Sequence, residues 1–388
     1  MAVINRVAEF EADMTAWRRH LHSIPELDFD LHETAAFVAE RLREIGVDEI
    51  HEGIARTGIV ALIRGRAPGP VVGLRADMDA LPIEEAGGAP WKSQRPGKMH
   101  ACGHDGHTAI LLGAARYLAE TRNFAGTAAL IFQPSEELSG GARVMVEEGI
   151  MERFGIGRVF GLHNVPGLDL GRIETRPGGL MAATDQFEVT LTGRGGHAAF
   201  PHECVDPVAA AVALAQALYA IPARRVDPLA AAVLSLTVLR AGTASNIVPE
   251  TASLGGTVRT LEADMREAMA AHIARAVEAV AAAHGVTAAL DYERGYPVTC
   301  NDPAETAFAI AVAAEVVGPA RVDGDRRPEM GAEDFAYMLE ARPGAYVFLG
   351  TGPGAGLHHP AFDYNDAASP IGASYFVRLV ETALPLER

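Results

Sequence analysis

Only three cysteines occur in 388 residues, Cys102, Cys204 and Cys300, an odd and widely spaced set that forms no disulfide framework and points to a reducing compartment. Long apolar runs are missing too. Nothing reaches the ~18 consecutive apolar residues of a transmembrane helix. Glu9, Glu11 and Asp13 stand where a signal peptide would place a basic stretch and an apolar core. The expectation is therefore a cytoplasmic chain without a membrane partner. Basic charge is scarce: 33 Lys and Arg against 50 Asp and Glu leave a formal charge of −17. That disfavours nucleic acid, which requires a basic face able to release counterions. Several catalytic signatures are absent as well. There is no Gly-x-Ser-x-Gly elbow and no phosphate loop ending in Gly-Lys-Ser or Gly-Lys-Thr. His32-Glu33 and His202-Glu203 lack the second histidine that a zincin helix needs. No internal repeat or low-complexity linker appears.

What is present is an ordinary globular composition, 49% hydrophobic and 21% charged, in a chain long enough for two cores. The first 180 or so residues alternate short Val-, Ile- and Leu-rich runs with helical segments, the pattern of a buried, largely parallel α/β sheet. Helices are expected at Val3–His22 and Glu33–Ile45, the second stopped by Gly46, and a third begins near Asp105. Strands are expected at Ile59–Ile63, Val71–Ala76, Thr127–Phe132 and Arg158–Leu162. From about Thr184 the texture changes to strand, helix Pro207–Ala220, strands Ala232–Leu239 and Thr251–Arg259, helix Glu262–Ala283 and strand Val286–Tyr292. That β-α-β-β-α-β order is ferredoxin-like. After Pro297 the α/β texture resumes with a helix at Ala304–Val317, a strand at Tyr346–Leu349 and a helix at Pro370–Leu384. The expected division is residues 1–184 with 296–388, interrupted by an inserted domain at 185–295.

Metal-type side chains gather just after the expected strands. Asp77 and Asp79 follow one, Glu136-Glu137 another, His163 a third, and a loop with His358-His359 follows the last. In an open α/β sheet, ligands bind at the carboxyl ends of the strands, so these placements converge on one edge. The stretch Met99 to His107 packs Cys102, His100, His104, Asp105 and His107 at a helix start, which favours a metal-binding thiolate. Each residue alone has a bland alternative. Cys102 could be a small buried hydrophobe, His107 a packing or orienting residue, and Glu136-Glu137 a solvated pair. Adjacent carboxylates also allow one to coordinate metal while the other moves a proton. Of Asp77 and Asp79 only one is expected to face the site, and either could instead orient a ligand. His20, His22, His51, His272 and His284 receive no role.

The ordered motifs Arg75-Ala76-Asp77-Met78-Asp79, Cys102-Gly103-His104-Asp105-Gly106-His107, Gln133-Pro134-Ser135-Glu136-Glu137, Gly193-Arg194-Gly195-Gly196-His197, Ser245-Asn246-Ile247-Val248-Pro249, Gly256-Thr257-Val258-Arg259 and Gly331-Ala332-Glu333-Asp334-Phe335 span nearly the whole chain. Together they resemble the aminoacylase and carboxypeptidase-type metallopeptidases, in the amidohydrolase branch of hippurate hydrolases, N-acyl-amino-acid hydrolases and auxin-conjugate hydrolases. The resemblance implies a largely parallel, mixed-sheet catalytic domain interrupted by a ferredoxin-like domain that forms a homodimer or homotetramer. It implies two divalent ions per subunit, Zn, Mn, Co or Ni, held by Cys102, His104, Glu137, His163 and His358. By the same token Glu136 is the general base, Asp79 a site-orienting carboxylate, His197 a group reaching the substrate carbonyl in the active site of the partner protomer, and Asn246 and Arg259 the holders of the substrate's polar end. His359 departs from the family pattern and leaves open which histidine of the pair binds metal. The implied substrate is an N-acyl amino acid. The alternatives are a dipeptidase, an aminopeptidase or another deacylase of the same family, a non-catalytic metal-dependent small-molecule binder, or an insert that serves as a regulatory effector module.

Overall fold

Four apolar runs form the parallel heart of an eight-stranded sheet: Ala125–Gln133, Ala67–Asp77, Ile156–Pro166 and Gly344–Gly352 lie side by side in that order and point the same way. Their apolar character is the reason. Gly344–Gly352 is buried along its whole length and Ala125–Gln133 over its second half, as expected of parallel strands covered by helices. Helices His104–Thr121, Pro303–Val317 and Ser369–Ala383 pack on the sheet and join its residues in one core with Leu74, Leu130, Phe132, Phe160 and Val347. Register brings the strand ends level: Asp77 lies opposite Gln133, and Phe348 opposite His163. The sheet is mixed because Gly58–Arg64 and the edge strand Glu49–Ile54 each pair antiparallel.

The computed structural model describes residues 2–386, in two units. The first unit is Met1–Gly178, Cys300–Arg327 and Asp334–Arg388; the second is Gly179–Thr299 with Pro328–Glu333. The second unit carries a four-stranded antiparallel sheet in the order Ala232–Ala241, Thr251–Thr260, Ala183–Thr192, Thr287–Arg294. Helices Pro207–Arg225 and Ala263–His284 cover it, so the arrangement is ferredoxin-like. Phe187, Val189 and Leu191 alternate inward and pack with Leu214, Leu218, Leu254, Ile273 and Val277. Residues 328–333 join this unit through Glu329 N to Leu180 O at 3.0 Å and Ala182 N to Gly331 O at 2.8 Å, pairings between distant segments that no periodicity announces.

Two local expectations need correction. The first helix is two, Asn5–Ala8 and Glu11–Ser23, because the backbone turns at Phe10, whose ring is buried under the Arg6 and Arg116 guanidiniums. Helix Pro207–Arg225 runs past Pro222 and is long and apolar enough by length and composition to cross a membrane. Its Ala210, Ala211, Leu214, Leu218 and Ile221 are buried against the sheet, as in the core helix of a globular unit.

Candidate metal centre

The loop before helix His104–Thr121 is shaped by Gly103, whose φ of +92° only glycine adopts readily. The turn leaves Cys102 and His104 buried on either side of it. A β-carbon on Gly103 would meet Asn164 Oδ1 at 2.2 Å, in a residue adjoining His163. Gly103→Ala therefore combines a backbone penalty of about 1–3 kcal/mol with a collision against the His163 strand end. We expect a lower Tm together with weakened metal uptake, read by thermal unfolding and metal analysis; wild-type values for both would show that the loop tolerates a side chain.

After strand Ala125–Gln133 the chain turns through Pro134 and Ser135, the latter at φ +55°. The Ser135 hydroxyl donates to Asp28 Oδ1 at 2.5 Å and accepts from Ser139 N at 3.1 Å, fixing the bend. The backbone N–H groups of Glu136 and Glu137 then donate to the two oxygens of Asp79, each at 3.0 Å. Asp79 thus aims the two glutamates through their backbone. The expectation that only one of Asp77 and Asp79 faces the site fails on geometry: residues two apart in extended chain share a face, the strand ends at Asp77, and both carboxylates are buried and engaged.

Cys102, His104 and His163 bring potential donor atoms within 4.8 Å of one another, as do Cys102, Glu137 and His358, and also His104, Glu136 and Glu137. All five expected ligands and Glu136 thus belong to one connected cluster, with Cys102 common to two of the groups. Of the histidine pair, His358 faces it. Its Nε2 lies 3.1 Å from Glu137 Oε1, from a backbone at φ +61°, whereas His359 Nδ1 accepts from Ala361 N at 3.0 Å.

Hydrogen bonds define the imidazole tautomers. His163 Nδ1 donates to Asn164 O at 2.7 Å, which leaves Nε2 as an acceptor facing Cys102 Sγ, 3.3 Å away. His107 is different. Its Nε2 accepts from Asn164 N at 3.0 Å, so Nδ1 carries the proton given to Asp77 Oδ1 at 2.6 Å. With both nitrogens committed, His107 orients the strand end instead of offering a ligand.

The electrostatics call for a cation. Burial, then Glu137, Glu136 and Asp77, pushes the Cys102 thiol well above its ordinary range. The helix start, expected to favour the thiolate, does not outweigh these effects. His104 is raised to about 10, Asp77, Asp79 and Glu137 overcoming the opposing effect of burial. Burial and His107 lower His163 to about 3. Burial would raise Glu137, yet His358 and His104 hold it below the usual carboxylate value. Both ring nitrogens of His104 and Oε1 of Glu137 are buried without a hydrogen-bond partner. The short His358–Glu137 contact is misaligned as a hydrogen bond, the geometry of two groups facing one point. A thiol, imidazoles and carboxylates that converge with unpaired buried atoms fit divalent transition metals.

Other participants were invisible in the sequence. His22, given no role, is buried and bonds Asp105 at 2.8 Å; Asp105 and Glu85 raise it to about 9 against the effect of burial. The two lie 83 residues apart, beyond any spacing rule. His100 is fully buried and lowered to about 4 by that burial, so it is neutral.

The residues expected at the substrate lie in the second unit. His197 and Ile247 pair across two short strands, and Ala198 N donates to Asn246 O at 3.1 Å, which makes His197 and Asn246 neighbours. His197 Nδ1 accepts from Ala199 N at 3.1 Å, so Nε2 carries the proton on an exposed ring. Arg259 is half-buried on strand Thr251–Thr260, its Nη1 bonded to Val258 O at 3.1 Å, and among the described residues no carboxylate forms an ion pair with it.

Residues 73–382 match the model of peptidase family M20/M25/M40. The chain is 39% identical to an N-acetylcysteine deacetylase of Bacillus subtilis, over 97% of this chain and 98% of the relative. It is 38% identical to a hippurate hydrolase of Campylobacter jejuni, over 98% of both. Among solved structures it resembles the Bacillus subtilis YXEP protein, described as a dinuclear metal-binding peptidase of the M20 family, with a TM-score of 0.85 and 36% identity over 97% of this chain and 99% of that one. With a family match across most of its length and near-full-length relatives, the chain belongs to the M20/M25/M40 peptidase family.

Proposed function

We propose that this protein is a metal-dependent amidohydrolase that cleaves the amide bond of N-acyl amino acids, with two divalent ions held by Cys102, His104, Glu137, His163 and His358. The convergence of these five side chains with Glu136 in one connected cluster carries the proposal. When bound, such ions supply Lewis acidity to the amide carbonyl and lower the pKa of water. Glu136, its backbone tied to Asp79, takes the proton of the attacking water and returns it to the departing nitrogen. His197 donates from Nε2 to the amide carbonyl held in the active site of the partner protomer, a role its tautomer supports. Arg259 pairs with the carboxylate of the amino-acid moiety through two parallel hydrogen bonds, assisted by Asn246; its lack of an ion-pair carboxylate suits that task. We place the enzyme in the cytoplasm as a homodimer or homotetramer joined through the second unit.

The names of the relatives support an acylated amino acid as substrate. The test is a panel of N-acetyl and N-benzoyl amino acids, their carboxamides and free dipeptides, offered to metal-loaded protein. Turnover is expected on the acylated acids, with kcat/KM reduced about tenfold or more for the carboxamides, since an ionic hydrogen bond contributes about 1.5–3 kcal/mol. Hydrolysis confined to free dipeptides would reassign the enzyme as a peptidase.

A further inference from the structure

Next to the ligand-bearing loops, three buried charges interlock. Arg75 is 1% exposed. Its guanidinium donates from Nε to Gln133 Oε1 at 2.8 Å, from Nη1 to Asp77 Oδ2 at 2.7 Å and from Nη2 to Asp334 Oδ1 at 3.1 Å. Asp334 in turn accepts from Gln133 Nε2 at 2.7 and 2.9 Å and from Ala142 N at 2.8 Å. One carboxylate therefore grips both ends of the segment between strand Ala125–Gln133 and helix Gly141–Glu147, the segment that carries Glu136 and Glu137.

A second branch leaves Arg75 through Asp77. Asp77 Oδ1 accepts from His107 Nδ1, His107 Nε2 accepts from Asn164 N, and Asn164 O accepts from His163 Nδ1. An unbroken polar chain thus links Asp334 to the glutamate loop on one side and to His163 on the other. A buried charge is tolerated only when paired and hydrogen-bonded, and here each carboxylate accepts from the guanidinium and from at least one further donor. The planar guanidinium reaches three acceptors at once, which an ammonium on a flexible stem cannot reproduce.

We propose that Arg75 and Asp334 are positioning residues for the metal centre: together they set the spacing between the Glu136–Glu137 loop and the His163 strand end. The inference rests on the metal-dependent function proposed above. Groups that orient metal ligands typically account for about 10–100-fold in affinity or activity, and this pair acts on both sides of the centre.

The test uses the full chain, stripped of metal and titrated with Co(II), whose thiolate absorption reports engagement of Cys102. In R75K and in D334N the Co(II) affinity should fall about 10–100-fold. The kcat at saturating metal should fall with it, while KM moves less than about twofold, because neither residue is assigned a contact with substrate. A variant with reduced Tm but wild-type Co(II) affinity, spectrum and kcat would overturn the proposal, reducing the pair to scaffold. If R75K does not fold, D334N carries the test, since it keeps the size of the side chain and one carbonyl acceptor. Tight cobalt uptake by a wild-type chain that hydrolyses no acylated amino acid would end the functional proposal and leave this one standing, because the titration is read without substrate.

Discussion

Glu136→Gln is expected to lower kcat by about 10²–10⁴, the range for losing a positioned acid–base group, or about 3–5 kcal/mol of transition-state stabilisation. Its metal content should not change. The expectation follows from how the two glutamates are held. Asp79 fixes both through their backbone N–H groups, so an amide at position 136 keeps those bonds to the loop while removing the proton acceptor. Glu137 is the contrasting case, its carboxylate close to His358 and His104 and grouped with Cys102 as well. Glu137→Gln should lose metal and activity together. Single-turnover kinetics and metal analysis on the two variants separate the roles: near-wild-type turnover in Glu136→Gln, or metal loss confined to it, would exchange or abolish the assignments.

Adjacent residues with opposite duties show where sequence reasoning succeeds and where it stops. The strands that bear the site were legible as short apolar runs, since a parallel strand covered on both faces has little else to display. Their carboxyl ends point one way, and the chemistry-bearing residues follow directly. The ferredoxin-like insert was equally legible, because Phe187, Val189 and Leu191 alternate with polar partners and its helices have apolar faces. Strand Glu49–Ile54 was not: it sits at the sheet edge with only Ile54 buried, and so carries no apolar signature. Inside the site, identity was easier to read than duty. His107 has the chemistry of a ligand but commits both nitrogens to Asp77 and Asn164. Asp79 acts on backbone 57 and 58 residues away, and Asp334 meets Arg75 from 259 residues away. No local pattern encodes contacts at such separations; they arise only once the parallel strands are in register.

Cys102→Ser should cost more than the roughly 10–100-fold typical of groups that merely orient a ligand, and it should do so by releasing metal. Burial and the surrounding carboxylates hold the Cys102 thiol in its protonated form until a cation displaces the proton. A serine hydroxyl, far less acidic, does not make that exchange, and Cys102 belongs to two of the donor clusters, so its loss weakens both. The same chemistry predicts sensitivity to oxidation. Mild peroxide acting on the metal-loaded protein should convert the thiolate to a sulfenic acid, free metal to a chromogenic chelator and abolish turnover, and a thiol reductant should reverse all three. Cys204 and Cys300 provide the controls. Both lie outside the donor clusters found among the described residues, so their serine variants should keep metal and remain as sensitive as wild type. A Cys102→Ser protein that retains two ions, or a wild-type protein whose metal is indifferent to peroxide, would remove the thiolate from the centre and leave the imidazoles and carboxylates to hold the cations alone.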